Sequence, residues 1–425
     1  MMVRAIRIWM MLAREWERIR TKDWFQRLPE SPFELEETRM QHLFRVARCL
    51  LAGTLPESKP LILKQIKLDK TREIVELPLH SQLAHGLLRQ ILEPSLKRIQ
   101  SPHAHSFIRG RSVETAFEHI LGQLKGYRKK TKQKDRALYV LRADIKKCGE
   151  SIPVHPRSAL WPILSEILPD STLFPNPVLI QLFTRALRPE LEWKDTPGSF
   201  HLRYGVPTGS PLQPLILNLY LGILDRYFEE QLVDSPHAIY CRYGDDFFFV
   251  HPEPRRLQEI TAGFLRKVSA LELEVRADKL QTFRWSGSGF QGRQTVPFLG
   301  YEIHFNGTLR IHSKKQAVLQ RHLNRIVRKT LAVLPDLPLE ERLSAVARGL
   351  ERAYGIRSGH PHPYMDKLMG LGNDRGQLLQ LDHEVCLTLA ETITGKRGPR
   401  AFRSMRKKTL FQNHGIPSLI AKRNR

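Results

Sequence analysis

Cysteine is scarce in this 425-residue chain. Its four residues, Cys49, Cys148, Cys241 and Cys386, lie too far apart for a zinc ribbon or a disulfide framework. Such usage suits a reducing compartment, and a cytoplasmic location is expected. Long apolar runs are missing too. Arg4 and Arg7 interrupt the short apolar N-terminal stretch, so neither a signal peptide nor a membrane span is expected there, and no later run approaches a span. Acidic residues are the third shortage: 43 Asp and Glu face 68 Lys and Arg, for a formal charge of +25 and a pI near 10.1. An excess of that size implies a polyanionic partner bound less tightly as salt rises. The charge is clustered, in one run at 125–136 and another at 396–425 that holds ten Lys or Arg and no acid. His360 and His362 lack further ligands at sensible spacing, so no metal is assigned to them.

Against that background, two adjacent carboxylates are informative. Tyr243-Gly244-Asp245-Asp246 separates the apolar runs Ile239-Tyr240-Cys241 and Phe247-Phe248-Phe249-Val250. Strand-like runs around a Gly-Asp pair predict a hairpin, since glycine tolerates the positive φ of primed turns. Two acids at its tip repel unless a cation lies between them, and a divalent metal is the usual one. The plain alternative is an exposed Gly-Asp-Asp turn without chemistry. A third acid, Asp144, closes a predicted strand at 137–143. Alone it would be read as a turn or cap residue. Together the three match the needs of two-metal nucleotidyl transfer, in which carboxylates hold two Mg²⁺ about 3.5–4 Å apart.

In chain order the sequence carries Ser106-Phe107-Ile108-Arg109-Gly110-Arg111-Ser112, Asp144-Ile145-Lys146-Lys147, Gly205-Val206-Pro207-Thr208-Gly209-Ser210-Pro211-Leu212-Gln213-Pro214-Leu215, Asn218-Leu219-Tyr220, Tyr243-Gly244-Asp245-Asp246, Asp278-Lys279 and Phe298-Leu299-Gly300-Tyr301. This ordered series resembles the motifs of bacterial reverse transcriptases of the group II intron and retron type, over roughly residues 60–310. The resemblance implies an α+β right-hand polymerase with an antiparallel-sheet palm and a helical thumb. Its parts would be an N-terminal helical extension (1–60), fingers (61–135), a palm with an inserted finger segment (136–310), a thumb (311–395) and a basic tail (396–425).

By the same resemblance, Asp144, Asp245 and Asp246 bind two Mg²⁺, with Mn²⁺ as the substitute, and Lys279 donates a proton to pyrophosphate. Arg72, Lys64 and Lys70 cradle the dNTP triphosphate; the bland reading of each lysine is a solvated strand face. Gly205 and Gly209 allow close backbone approach, with Ser210 as helix N-cap and Pro211 as first helical residue. Phe298–Tyr301 resembles the primer grip, although core packing accounts equally for Phe298 and Leu299. Leu319, Leu323, Ile326 and Leu331 form an apolar stripe, with further helices expected near 339–354 and 376–394 and stopped by Gly355 and Gly395. The N-terminal tryptophans Trp9, Trp16 and Trp24 read as core anchors rather than base-stacking platforms.

The chain departs from the family at Lys146-Lys147-Cys148-Gly149-Glu150. Relatives carry an aromatic five positions beyond the first Asp, closing the pocket against a ribose 2′-hydroxyl; here Gly149 stands there, and Gln213 replaces a common Ser. Either sugar selection is relaxed or another side chain fills the volume, Tyr220 and Phe247 being the aromatic candidates. No endonuclease, integrase or protease module is evident. The expectation is a standalone bacterial RNA-directed DNA polymerase, associated with antiviral defence, using dNTPs and an RNA template or noncoding RNA to make DNA. A second polymerase subunit or a homo-oligomer stays open as a partner. The alternatives are a group II intron maturase, acting as an RNA-binding splicing cofactor, and RNA-templated RNA synthesis.

Overall fold

The apolar runs around the Gly-Asp pair do form strands, because their β-branched and aromatic side chains fit a sheet buried on both faces. The computed structural model describes residues 2–22, 24–57, 61–67, 70–130, 137–168, 173–193, 196–202, 205–206, 208–287, 292–355, 365, 371–372 and 374–419; at 61–73 and 190–202 only the backbone is described. Eleven strands occur among them: β1 (Leu61–Lys67), β2 (Lys70–Glu76), β3 (Leu138–Asp144), β4 (Glu190–Trp193), β5 (Thr196–Leu202), β6 (Ile239–Tyr243), β7 (Asp246–His251), β8 (Gln281–Trp285), β9 (Thr295–Phe298), β10 (Tyr301–His304) and β11 (Leu309–Ile311). They make three sheets, ordered β2-β1-β4-β5, β6-β7-β3-β8 and β11-β10-β9. The chain divides into two compact units, residues 1–120 with 139–282 and residues 121–138 with 283–425.

In the first unit, β3 and β6 flank β7, both antiparallel to it. The helix Gln213–Val233 sends Phe228 onto the sheet, where its ring stacks on Tyr240 (4.7 Å between centroids) and Phe249 (5.0 Å). Phe264, from the helix Pro254–Ala270, closes the same cluster against Phe228 and Phe247. Such aromatic contacts add to burial and hold the central hairpin in one register. The hairpin β1–β2 starts a second sheet, which β4 and β5 complete, β4 lying parallel to β1. The segment inserted in the palm is therefore mixed in structure. Helices cover Leu160–Ile167 and Asn176–Leu187, after which residues 190–202 turn back as a hairpin. Pro197 and Gly198 are poor helix formers, and an open edge at β1 offers hydrogen bonds instead.

At the N-terminus, helices Met2–Ile19 and Arg39–Leu51 pack through Leu12, Trp16, Leu43 and Val46, all fully buried. Trp16 is thus a core anchor and Trp24 packs against the core, whereas Trp9 is 37% exposed and lies outside the core cluster.

In the second unit, Leu299-Gly300 joins β9 to β10 with both residues at positive φ (48° and 82°), the type I′ pattern. Phe298 is buried, as core packing requires, while Leu299 sits at the half-exposed tip. Helices follow at Ser313–Val333, Leu339–Ala353 and Arg375–Thr394, with Gly355 and Gly395 at φ +69° past the ends of the last two. The buried stripe of the first is Leu319, Leu323, Val327 and Leu331; Ile326 is only half-buried. No described helix is long and apolar enough to cross a membrane.

Candidate active site

Tyr243 pairs with Asp246, leaving Gly244 and Asp245 as a two-residue turn. Gly244 takes the positive φ (+66°) and Asp245 does not, which is the type II′ pattern with glycine in the first central position. Across the sheet Asp144 is the direct partner of Asp246, and the Ile145 N–H donates to the Asp245 carbonyl at 3.2 Å. Strand ends and turn thus bring all three acids to one end of one sheet. The segment 274–279 runs beside them. Arg276 donates its backbone N–H to the Asp144 carbonyl (2.9 Å), sets its guanidinium 3.8 Å from the Asp144 carboxylate, and pairs with Asp278 at 2.9 Å.

Burial, then the charges of Asp245 and Asp144, push Asp246 up to about 6. Burial also raises Asp144, against the pull of Arg276 and Lys279. The charges of Asp245 and Asp144 both act on the buried Cys148 thiol, whose pKa is raised mainly by burial. The three acids therefore share one electrostatic neighbourhood, and Lys279 lies within it, lowering both Asp144 and Asp246. A set of hard carboxylate oxygens, crowded together and with Asp144 and Asp246 held against ionisation, fits a divalent cation such as Mg²⁺. As the side chains stand, no three His, Cys, Asp or Glu among the described residues are gathered closely enough to hold an ion.

A buried polar frame holds the turn. Arg242, 1% exposed, grips Asp225 with two charge-assisted bonds (Nε to Oδ1 2.7 Å, a terminal nitrogen to Oδ2 2.6 Å). Its other terminal nitrogen donates to the Asn218 side-chain oxygen (3.1 Å) and to the Gly244 carbonyl (2.9 Å). Tyr240 donates its hydroxyl to Asp225 (2.5 Å), and Asn218 donates to the Ser106 carbonyl (2.9 Å). On the other side of the same residue, Gly244 N–H donates to the Ser106 hydroxyl at 2.6 Å. Next to Ser106, Phe107 is 60% exposed and takes a left-handed φ of +56°, an uncommon conformation for an aromatic residue.

The loop at 205–213 closes over the residues after Asp144. Val206 N–H donates to the Gly149 carbonyl (2.8 Å), and a Cβ on residue 205 would strike the Glu150 backbone, so glycine is required there. Gly209, at φ +109°, lies against the Val75 carbonyl. Ser210 is buried; its hydroxyl pairs with His85 Nδ1 (3.1 Å) and accepts from Leu212 N–H (3.2 Å). The helix starts at Gln213 with Leu212 as its N-cap, so Ser210 and Pro211 belong to the turn before it rather than to its first turn. The Gln213 carboxamide occupies the space over Gly149, where any Cβ would meet it, and donates to the Thr208 hydroxyl at 3.2 Å. Neither aromatic candidate fills that volume. Tyr220 is buried with its hydroxyl on the Leu271 carbonyl, and Phe247 belongs to the Phe228 cluster.

Asp144, Asp245, Asp246 and Lys279 are thus brought together, with Gly149 and Gln213 in contact on the adjoining segment. The side chains of Lys64, Lys70 and Arg72 lie outside the described residues, as do Pro207, His360 and His362. Sequence reasoning missed Arg276, Asp225, Arg242 and the hydroxyl of Ser106. A signal existed for two of them: Arg242 interrupts one apolar strand and Asp225 the apolar face of one helix, with opposite signs.

A family model described as reverse transcriptase (RNA-dependent DNA polymerase) matches residues 63–303. A protein of Schizosaccharomyces pombe described as an uncharacterized 91 kDa protein in the cob intron is 28% identical over 151 residues, which are 35% of this chain and 16% of that protein. Among solved structures, telomerase from Candida albicans, bound to a fragment of telomeric RNA, is 14% identical; the match covers 85% of this chain and 64% of that one, with a TM-score of 0.48. Apo telomerase from Candida tropicalis is 13% identical, with coverage of 84% and 69% and the same TM-score.

Proposed function

Because this chain belongs to the reverse transcriptase family, with a right-hand polymerase architecture of mixed helix and antiparallel sheet, we propose that it is an RNA-directed DNA polymerase. The observation that carries the reading is the pairing of Asp144 with Asp246 across β3 and β7, with Asp245 in the adjoining turn. Asp144, Asp245 and Asp246 would hold two divalent ions, Mg²⁺ or in its place Mn²⁺, which supply Lewis-acid activation and charge neutralisation for nucleotidyl transfer. Asp246 has to shed its proton before it serves as a ligand. Lys279, whose charge acts on both Asp144 and Asp246, would give a proton to departing pyrophosphate. Arg276 orients Asp144 from the opposite side to the turn.

Purified chain given Mg²⁺, labelled dNTPs and a primed RNA should make DNA that depends on Asp245 and Asp246 and on intact template. Synthesis that survives removal of RNA would replace the template-directed reading with template-independent synthesis. A second reading, an RNA-binding splicing cofactor, draws on the similarity to a protein of the cob intron. It predicts that Asp245→Ala, Asp246→Ala leaves the cellular role intact. The finer assignment, a bacterial enzyme of antiviral defence, rests on motif resemblance, and phage plating efficiency with and without the double variant tests it.

Sugar selection is assigned to Gln213, whose carboxamide stands where Gly149 offers no side chain. Gln213→Ala empties that space and should raise the rNTP:dNTP incorporation ratio about tenfold, within the range a single side-chain interaction provides. An unchanged ratio would remove Gln213 from this role.

Mg²⁺ affinity should weaken as pH falls through about 6, where Asp246 takes up its proton. Titrations at pH 7.5 and 5.5 check this, and equal affinities would contradict the coupling between Asp246 and its neighbours.

A further inference from the structure

Between the helices Met2–Ile19 and Arg39–Leu51 lies an open cavity of about 600 Å³, lined by Trp9, Met40, Gln41, Phe44, Arg45 and Arg48. Its size is that of a ligand pocket, roughly 300–1,000 Å³. Trp9 and Phe44 are 37% and 68% exposed, so two aromatic rings reach solvent from helices that each bury one face. Phe44, Arg45 and Arg48 follow one another at helical spacing along one exposed face. No acidic residue lines the cavity, and no ion pair of Arg45 or Arg48 occurs among the described residues. Nearby, Arg18 pairs with Glu15, and Arg20 and Arg39 pair with Glu17 and Glu36. The two guanidinium groups at the cavity are thus open to an outside anion.

We infer that this cavity is a binding site for single-stranded nucleic acid, in which bases stack on Trp9 and Phe44 while Arg45 and Arg48 hold the flanking phosphates. Planar rings beside uncompensated guanidinium groups are the arrangement that accepts unpaired nucleotides without reading sequence. Gln41 adds one amide able to bond a base edge. A net charge of +25 gathers the same polyanion to the whole surface. The site is independent of the catalytic reading, since none of its residues belongs to the hairpin or its frame.

The test uses the full chain and a 40-nucleotide single-stranded RNA carrying 4-thiouridine. Photo-crosslinks should map to the peptides containing Trp9 or Phe44, and should persist in Asp245→Ala, Asp246→Ala, which separates this site from the catalytic one. Trp9→Ala, Phe44→Ala should weaken binding of the long RNA about tenfold or more, while kcat on a short primer–template is unchanged. Arg45→Ala, Arg48→Ala, at exposed positions and so harmless to folding, should lower the slope of log K against log salt by about 1.4, or 0.7 for each phosphate no longer neutralised. Crosslinks confined to other peptides, or an unchanged affinity and slope in the arginine variant, would overturn the inference. So would a change in sedimentation alone, which would make the cavity a contact between copies of the chain.

Discussion

Asp246→Asn should abolish nucleotide incorporation and, at the same time, raise the melting temperature of the protein. On the proposed two-ion reading, losing this carboxylate removes several kcal/mol of transition-state stabilisation, at least about a thousandfold in rate. The stability change has the opposite sign. Asp246 is mostly buried, beside two like charges, and its pKa is about 6 against an ordinary 3.8. Between those values the folded form binds more protons than the unfolded chain, so stability falls as pH rises through that interval. The penalty stands in full above about pH 6. A displacement of that size corresponds to roughly 2–3 kcal/mol, an amount that Asn, which carries no charge, does not incur. The gain should vanish below pH 4. Mg²⁺ should raise the wild-type melting temperature and leave that of the variant nearly unchanged, because a ligand stabilises only the form that binds it. Thermal melts at pH 7.5 and 4, with and without Mg²⁺, check both halves. A variant that melts lower than wild type at pH 7.5 would show that the acids are not mutually destabilising.

Arg242→Leu should cost about 3–5 kcal/mol of stability, the usual result of stripping one partner from a buried ion pair. Asp225 is 1% exposed, and without Arg242 it keeps the Tyr240 hydroxyl as its described hydrogen-bond partner. The double variant Arg242→Leu, Asp225→Leu removes both charges and should recover most of that loss, since apolar replacements of buried pairs are often neutral. Activity should not recover with it. The Gly244 carbonyl loses its donor in both variants, and the turn bearing Asp245 keeps the Ser106 hydroxyl and the Ile145 N–H but loses the buried guanidinium that aims it. Partners that orient ligand-bearing groups are typically worth 10–100-fold. A double variant that is both stable and fully active would reduce the pair to a packing element. The single and double variants together separate stability from aim.

The hairpin at 239–251, the strand before Asp144 and the helices after 313 were legible because each announces its own period: two apolar runs about a Gly-Asp turn, or leucines at spacings of three and four. The convergence of the three acids was legible only through the ordered motifs, since separation in sequence says nothing about separation in space. What stayed hidden depended on contacts between elements. The helix at 213 begins after Ser210 because that hydroxyl is drawn toward His85, 125 positions earlier. Residues 190–202 became strands because β1 offered them an edge. Gln213 could be read as a polar helix start, and only its packing shows it lying over Gly149.

That packing has a historical consequence. Residues 149 and 213 compete for one volume, so their substitutions are contingent on each other. An aromatic ring introduced at 149 collides with the carboxamide, and a small residue introduced at 213 leaves a void. Passage between a chain with an aromatic residue at 149 and this one thus crosses a less fit intermediate unless both positions change together or Gln213 first swings aside. Lineages on either side are expected to stay there, with residues 149 and 213 varying as a pair. The double variant Gly149→Tyr, Gln213→Ser should outperform each of its single parents.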